Sequence, residues 1–276
     1  MLEGPRMSRP ALIVAHPGHE MMVLGWVESA RPRVSILTDG SGRTGTSRIA
    51  SSEKVLRAAN ADAGSVFGVI SDPRFYSAVL DGDVELFVDI AARLADDLEA
   101  TRPPYVAGDA REGFNPTHDI CRMIINAAVA RANRGGAPIA NYAFFLFAPH
   151  EKCPPERRET AMWQTLGEEQ LERKLATARA YPELAAEAEA AFLGSSRRIL
   201  AQHSELAAIV DRSLDGMNER ALATECLIPV DPATEVNDER PFYEIYGEKL
   251  VAAGTYQRAI RYREHVLPIE RALAEL

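Results

Sequence analysis

The chain has 276 residues, of which 46% are hydrophobic and 26% are charged, a balance typical of a folded protein with a sizeable core. Its formal net charge is −9 and no predicted element carries a cluster of Lys and Arg, so nucleic acid is excluded as an expected partner. No apolar run approaches the roughly 18 to 20 residues of a spanning helix. The three cysteines lack the spacing of a disulfide scaffold or a cysteine zinc site. We expect a cytoplasmic protein without a membrane span whose partner is a small molecule.

The first half of the chain alternates short apolar runs with amphipathic segments. The apolar runs predict five strands, at 11–16, 34–40, 65–70, 104–110 and 141–148. The segments between them predict helices at 19–30, 47–64, 83–103 and 117–136, the second ended by Gly64 and the third ended before Pro103. This alternation favours a Rossmann-like α/β fold, with a mostly parallel sheet, right-handed crossovers and helices on both faces.

The second half of the chain has a different composition. It is rich in Ala, Glu and Leu over 168–203, which predicts helix, and it contains one further strand candidate at 223–230. We predict a single α/β domain over 1–276, in which a core at 7–150 carries a mainly helical C-terminal extension at 151–276 packed on it. The sequence leaves open the role of this extension and the oligomeric state, a homo-oligomer included.

Histidines follow two of the predicted strands. The first strand leads to His16 and, across the turn at Pro17 and Gly18, to His19, while the fourth leads to His118 at the start of a helix. The carboxyl ends of parallel strands share the edge where ligands bind in open α/β sheets. Three imidazoles with an open fourth position make a catalytic zinc site, and zinc lowers the pKa of a bound water to about 7. The sequence therefore predicts a hydrolase with one divalent metal ion, zinc being favoured over iron, cobalt or nickel.

These segments resemble the motifs of the LmbE-like (PIG-L) zinc-dependent deacetylases, whose first strand ends in AHPDDE and whose fourth leads to HPDH. The chain has AHPGHE at 15–20 and NPTH at 115–118, and its helix at 47–64 is similar to the Arg- and Glu-bearing helix of that family. The resemblance covers most of the first 185 residues. It implies hydrolysis of the amide of an N-acylated amino sugar or sugar conjugate.

The resemblance also implies roles for single residues. His16 and His118 match the two metal-binding histidines, and His19 replaces a metal-binding aspartate. Arg48 is expected either to contact a phosphate or hydroxyl of the substrate or to form an ion pair with Glu53 on the same helix. Two positions depart from the family. Gly18 stands where the family has the aspartate that acts as general base, and Asn115 stands where a histidine stabilises the oxyanion, although an amide NH2 could also donate that hydrogen bond.

A replacement for the missing base is expected if the chain is an active enzyme, because a general base contributes about 10²- to 10⁴-fold in rate. By predicted location the candidates are Asp119 and Asp39 as catalytic carboxylates, with Glu20 and His150 as substrate contacts that could also take the proton. Each has a structural alternative: Asp119 could orient an imidazole or stabilise a helix N-terminus, and Asp39 could shape a turn. His203 and His265, which lie within predicted helices, are expected to be structural.

Two further functions stay open. The segment GSGRTG at 40–45 fits the dinucleotide-binding pattern, but it follows the second strand, and the acidic residue about 20 positions on, Asp62, precedes the next strand instead of following it. The other alternative is a protein that keeps the fold, the metal and a sugar-type ligand without hydrolysing it. No GxSxG elbow of a serine hydrolase occurs.

Overall fold

The computed structural model describes residues 9–42, 45–183, 195–231 and 240–276. Its strands are β1 Ala11–Val14, β2 Arg33–Thr38, β3 Asp62–Ile70, β4 Tyr105–Asp109, β5 Ala140–Phe144, β6 Met162–Thr165 and β7 Thr224–Pro229. Its α-helices are α1 Leu24–Ala30, α2 Ile49–Ala59, α3 Asp72–Asp81, α4 Val84–Thr101, α5 Pro116–Asn133, α6 Glu168–Arg179, α7 Ser195–Gln202, α8 Ser204–Leu214, α9 Phe242–Ala252 and α10 Leu267–Ala274. A 3-10 turn, His19–Val23, precedes α1.

The strands form one mixed sheet in the order β3-β2-β1-β4-β5-β7-β6. The first five strands are parallel, which confirms the predicted mostly parallel α/β fold. The segment beyond residue 150 adds β7 antiparallel to β5, and β6 antiparallel to β7. Strand β7 lies at the predicted strand candidate. Strand β6 was not predicted, because its four residues Met-Trp-Gln-Thr have no continuous apolar run.

Side chains alternate across the sheet and meet helices on both faces. In β1, Ile13 packs into a core that includes residues of α4, α5 and α10, whereas Leu12 and Val14 pack with residues of α1 and α2. All four residues of β1 are buried, as expected for a central parallel strand. Within the described ranges, no helix combines the length and apolar character needed to cross a membrane.

Some predicted boundaries were wrong for local reasons. The helix at 47–64 ends at Ala59, because Asn60 takes the left-handed conformation (φ 54°) that closes a helix. Gly64, the predicted stop, lies inside β3, where a Cβ atom would come within 2.3 Å of Ser35 Oγ. Helix α3, which the analysis missed, begins after Ser71, whose side chain accepts a hydrogen bond from the Arg74 N–H. Part of the predicted helix at 168–203, residues 184–194, lies outside the described residues.

A buried ion pair ties the C-terminal segment to the start of α1. Glu225 of β7 accepts hydrogen bonds from the N–H groups of Gly25 (2.9 Å) and Trp26 (2.7 Å), which have no partner within the helix. Lys174 of α6 donates to Glu225 (2.8 Å) and to the Met22 carbonyl (2.7 Å). Both charged side chains are almost fully buried. The segment beyond residue 150 therefore helps to hold the turn that follows His19.

Candidate metal centre

Three histidines converge at the carboxyl edge of the parallel strands. The ring centres of His16 and His19 are 5.2 Å apart, those of His16 and His118 are 5.2 Å apart, and those of His19 and His118 are 4.6 Å apart. All three pairs pack edge to face. His16 and His118 are buried and His19 is half-buried. The loop after β1 thus meets the first turn of α5, about 100 residues away in the sequence. This agrees with the expectation that the carboxyl ends of parallel strands share one edge of the sheet.

His16 is held from behind by two oxygen atoms. Its Nδ1 lies 2.7 Å from Thr38 Oγ1, at the end of β2, and 3.1 Å from Asp72 Oδ1, in the first turn of α3. The other oxygen of Asp72 accepts a hydrogen bond from the Gly42 N–H at 2.7 Å. Burial lowers the pKa of His16, so the imidazole is neutral at neutral pH. With a proton on Nδ1, the lone pair is on Nε2.

His19 has a similar partner on the neighbouring strand. Its Nδ1 lies 2.9 Å from Oδ2 of Asp109, the last residue of β4. Asp109 is fully buried, and the same oxygen accepts a hydrogen bond from the Ala15 N–H at 2.8 Å. The buried guanidinium of Arg122 donates to the Asp109 carbonyl at 2.6 Å and so holds this end of β4. The two histidines of the first loop therefore each have a carboxylate behind Nδ1, the arrangement that orients metal-binding imidazoles.

His118 is positioned by packing. Its ring stacks on Phe147 with centres 5.7 Å apart and planes 21° apart. Burial, and then the two neighbouring histidines, hold the pKa of His118 well below its ordinary value. Glu112 holds the loop of Phe147 by accepting hydrogen bonds from the N–H groups of Leu146 (2.7 Å) and Phe147 (3.1 Å), and burial raises the pKa of Glu112 to about 8. The Phe147 ring is thereby fixed against His118.

The donor set suits zinc, which binds neutral imidazole nitrogen. Three imidazoles that share a tetrahedral ion at Zn–N distances of about 2.0–2.1 Å have ring centres roughly 5 Å apart, close to the spacing observed. As placed, however, the described residues contain no group of three or more His, Cys, Asp or Glu that could hold a metal ion. Turning an imidazole about its Cβ–Cγ bond moves the nitrogens and leaves the ring centre nearly in place. The spacing of the ring centres is therefore the feature that bears on metal binding.

The turn between the two histidines needs glycine at position 18. Gly18 has φ 105°, in the region that residues with a Cβ rarely adopt. Its N–H donates to Glu20 Oε2 at 2.7 Å, and Ser52 Oγ donates to the other oxygen of Glu20 at 2.5 Å. Glu20 is fully buried, and burial raises its pKa. One oxygen of Glu20 thus supports the turn and the other binds α2, while a substrate contact by Glu20 remains a prediction.

The two predicted catalytic carboxylates also bind backbone groups. Asp119 accepts hydrogen bonds from the N–H groups of Glu112 (3.2 Å) and Gly113 (3.0 Å) through Oδ1. Asp39 accepts from the N–H of Ser41 at 2.9 Å. The contact of Asp39 matches its structural alternative, a turn, whereas Asp119 holds the loop before α5, a role that was not predicted. A catalytic role for either remains a prediction.

His150 differs from the three histidines in its hydrogen bonds. It is buried, its Nε2 lies 3.1 Å from the Phe145 carbonyl, and its Nδ1 accepts a hydrogen bond from the Cys226 N–H at 2.9 Å. Burial lowers the pKa of His150 to about 4. Both ring nitrogens bind backbone groups, so His150 ties the loop after β5 to β7 and has no nitrogen left for a substrate. The Nδ1 of His265 similarly accepts from the Arg261 N–H at 3.0 Å, and His203 lies between α7 and α8.

Arg48 and Asn115 lie near the centre. Arg48, the residue before α2, is buried, and its charge adds to the effect of burial in lowering the pKa of His16. A substrate contact by Arg48 remains a prediction; the nearby Glu53 pairs with Arg57 at 3.6 Å. Asn115 is the N-cap of α5, where its Oδ1 accepts a hydrogen bond from the Thr117 N–H at 2.8 Å. It thus lies one helical turn before His118.

The geometry gives little support to the nucleotide-binding alternative. Residues 43 and 44 of the segment at 40–45 lie outside the described residues. Asp62 is the first residue of β3, and its carboxylate is exposed and paired with Arg9 at 2.6 Å. The beginning of a parallel strand lies at the edge of the sheet opposite to the one where ligands bind.

Sequence reasoning missed Asp72, Asp109 and Thr38, the side chains that hold the histidines. Thr38 and Asp109 are the last residues of β2 and β4, and Asp72 begins a helix two residues after β3. The available signal was position, since each follows or ends a predicted strand. What the sequence did not reveal was which strands are neighbours of β1 in the sheet.

No protein-family model and no curated protein matches the chain. Among solved structures, it is similar to the zinc-inhibited form of teicoplanin deacetylase Orf2, with 12% identity, a TM-score of 0.49, and coverage of 80% of this chain and 97% of that chain. It is also similar to the A40926 pseudoaglycone deacetylase Dbv21, with 17% identity, a TM-score of 0.48, and coverage of 81% and 97%. Both of these solved structures are of deacetylases.

Proposed function

We propose that this chain is a metal-dependent hydrolase in which His16, His19 and His118 bind one divalent ion, with zinc favoured. The observation that carries the proposal is the meeting of three imidazoles from two distant segments, two of them with Nδ1 on a buried oxygen acceptor. A lone buried histidine usually completes its hydrogen bonds with backbone groups, as His150 does.

A zinc ion at this position would polarise an acyl carbonyl and lower the pKa of a water molecule, so that water attacks at neutral pH. The chain contributes the orientation of the ligands. The Nδ1 atoms of His19 and His16 lie against Asp109 Oδ2 and Thr38 Oγ1, and with a proton on Nδ1 each ring would have its Nε2 lone pair available to bind the ion. An imidazole at position 19 in place of a carboxylate would bind the ion without adding a negative charge to the site.

The substrate we propose is the amide of an N-acylated amino sugar or sugar conjugate. This choice rests on the motifs at 15–20 and 115–118 and on the positions of Asn115 and Arg48. Asn115 has an amide NH2 group one turn before His118, suited to a developing oxyanion. Arg48 has a buried positive charge on the side of His16, suited to a polar group of the substrate.

A second candidate function is metal-dependent binding of such a sugar without hydrolysis. It is favoured by Gly18, which offers no side chain at the position of the family's base, and by Glu20, whose two oxygens already accept hydrogen bonds from Gly18 and Ser52. The two candidates share the metal site and differ only in whether a proton acceptor serves the water.

The test is acetate release from N-acetylglucosamine and its conjugates by protein loaded with zinc, iron(II) or cobalt(II). We expect release by the wild type and by His150→Gln, a matched change of a buried histidine, and none by His118→Ala. Binding of metal and sugar without acetate release would favour the second candidate. A wild type that binds none of these metals would contradict both.

A further inference from the structure

Helix α3 presents two polar side chains to the candidate metal centre. Asp72 and Tyr76 are four residues apart and so lie on one face of the helix. Asp72 contacts His16, and the Tyr76 hydroxyl donates a hydrogen bond to Asn115 Oδ1 at 3.2 Å. One short helix thus contacts both the loop after β1 and the N-terminus of α5.

The Asn115 side chain is held in one orientation. Its Oδ1 accepts from the Thr117 N–H at 2.8 Å and from the Tyr76 hydroxyl, so both acceptor positions of the amide oxygen are filled. A flipped amide would place NH2 against two donors and lose both hydrogen bonds. In the present orientation the NH2 group donates to no other described residue, and Asn115 is half-buried. The donor group is therefore the part of this side chain left for a ligand.

We propose that Tyr76 is a positioning residue that fixes the Asn115 amide so that its NH2 group, and not its carbonyl oxygen, is available to the oxyanion formed from the substrate. The inference rests on the proposed function. Asn115 caps an 18-residue helix, whose N-terminus also favours negative charge. Donors set in place before the reaction stabilise developing charge without reorganisation. Tyr76 holds the NH2 donor of Asn115 in place, because its hydroxyl would lose its hydrogen bond in the flipped amide orientation.

The test compares Tyr76→Phe, Asn115→Asp and the double variant. Tyr76→Phe keeps the ring and removes only the hydroxyl; Asn115→Asp keeps the capping oxygen and removes the NH2 donor. The matched control is Tyr105→Phe, because the Tyr105 hydroxyl also makes one partly buried hydrogen bond, which it accepts from Trp26 Nε1 at 3.1 Å, but at the opposite end of β4. Each protein is assayed for zinc affinity, for kcat and KM on an N-acetylated amino sugar, and for affinity for methylphosphonate, a tetrahedral anion.

We expect Tyr76→Phe to lower kcat about tenfold with KM nearly unchanged, and Asn115→Asp to lower it about 10²- to 10³-fold. The double variant should resemble Asn115→Asp alone, because Tyr76 acts through Asn115. Methylphosphonate affinity should fall in the same order, while the zinc affinity of Tyr76→Phe and all values of the Tyr105→Phe control stay at the wild-type level.

Wild-type kcat and methylphosphonate affinity in Tyr76→Phe would overturn the proposal while leaving the hydrolase in place. Multiplication of the two single effects in the double variant would overturn it as well, because Tyr76 would then act independently of Asn115. If the wild type hydrolyses nothing but Tyr76→Phe still weakens methylphosphonate binding, the proposed hydrolase fails and the positioning role stands. A wild type that neither hydrolyses the amide nor binds methylphosphonate would overturn both.

Discussion

Two regions of this molecule contain buried histidines that make different kinds of hydrogen bond. At the carboxyl edge of the parallel strands, His16 and His19 have Nδ1 on side-chain oxygens, and the three rings face one another. Beside β7, His150 is also buried and has a lowered pKa, yet both of its nitrogens bind backbone groups. Burial and pKa alone do not distinguish the regions. The regions differ in what contacts the second ring nitrogen, because a histidine that binds metal needs one nitrogen that no other protein group occupies.

The largest effect we expect is the loss of stability at low pH that is caused by the buried neutral ring of His150. His150 has a pKa of about 4 in the folded chain against 6.5 in the ordinary state, so the unfolded chain binds more protons between these values. The stability that the neutral ring contributes is present above pH 6.5 and is lost as the pH falls toward 4, by about 3 kcal/mol. Urea unfolding at pH 7 and pH 4 should show His150→Gln losing about that much less than the wild type. Equal losses in the two proteins would mean that His150 is not buried as a neutral ring.

The next effect sharpens the role of the carboxylate behind His19. Asp109→Asn keeps the shape of the side chain but no longer stabilises the Nδ1 proton, and we expect zinc affinity to fall about 10- to 100-fold. Zinc titration against a chromophoric chelator measures this, with Asp62→Asn, an exposed carboxylate on β3, as the control. An unchanged affinity in Asp109→Asn would show that Asp109 does not orient a metal ligand.

A smaller effect concerns the turn between the histidines. Gly18→Ala places a Cβ at φ 105° and should cost about 1–2 kcal/mol of stability. Gly82→Ala, at φ 69° with open space around the added Cβ, should cost a similar amount. The two differ in zinc affinity, which we expect to fall only in Gly18→Ala because that turn sets the angle between His16 and His19. Equal zinc affinities in the two variants would separate the turn from the site.

The smallest effect is at Thr38. Thr38→Val removes one of the two oxygens near His16 Nδ1 and leaves Asp72 in place. One hydrogen bond of this kind contributes about 0.5–1.5 kcal/mol, so zinc affinity should fall by about 2- to 10-fold. A loss as large as that of Asp109→Asn would show that Thr38, and not Asp72, is the main partner of His16.

The five parallel strands, and the placement of three histidines at the ends of β1 and β4, could be predicted because their signals are local. Runs such as Ala11–Val14 are apolar throughout, and each is followed by polar residues where the sheet ends. Asp109 could not be assigned, because its partner His19 is 90 residues away and the contact depends on β4 lying beside β1. Helix α3 was missed although Ser71 and Pro73 are ordinary start signals, since it follows closely on β3. The roles of Glu20 and His150 depend on hydrogen bonds to backbone groups, which a sequence pattern does not report.

The measurement that tests the central claim most directly is a zinc titration of the wild type, His16→Ala, His19→Ala, His118→Ala and His150→Gln, each checked for folding by circular dichroism. We expect one tight site per chain in the wild type and in His150→Gln, and its weakening or loss in each of the three alanine variants. A wild type without a tight site, or alanine variants that bind zinc like the wild type, would contradict the three-histidine centre.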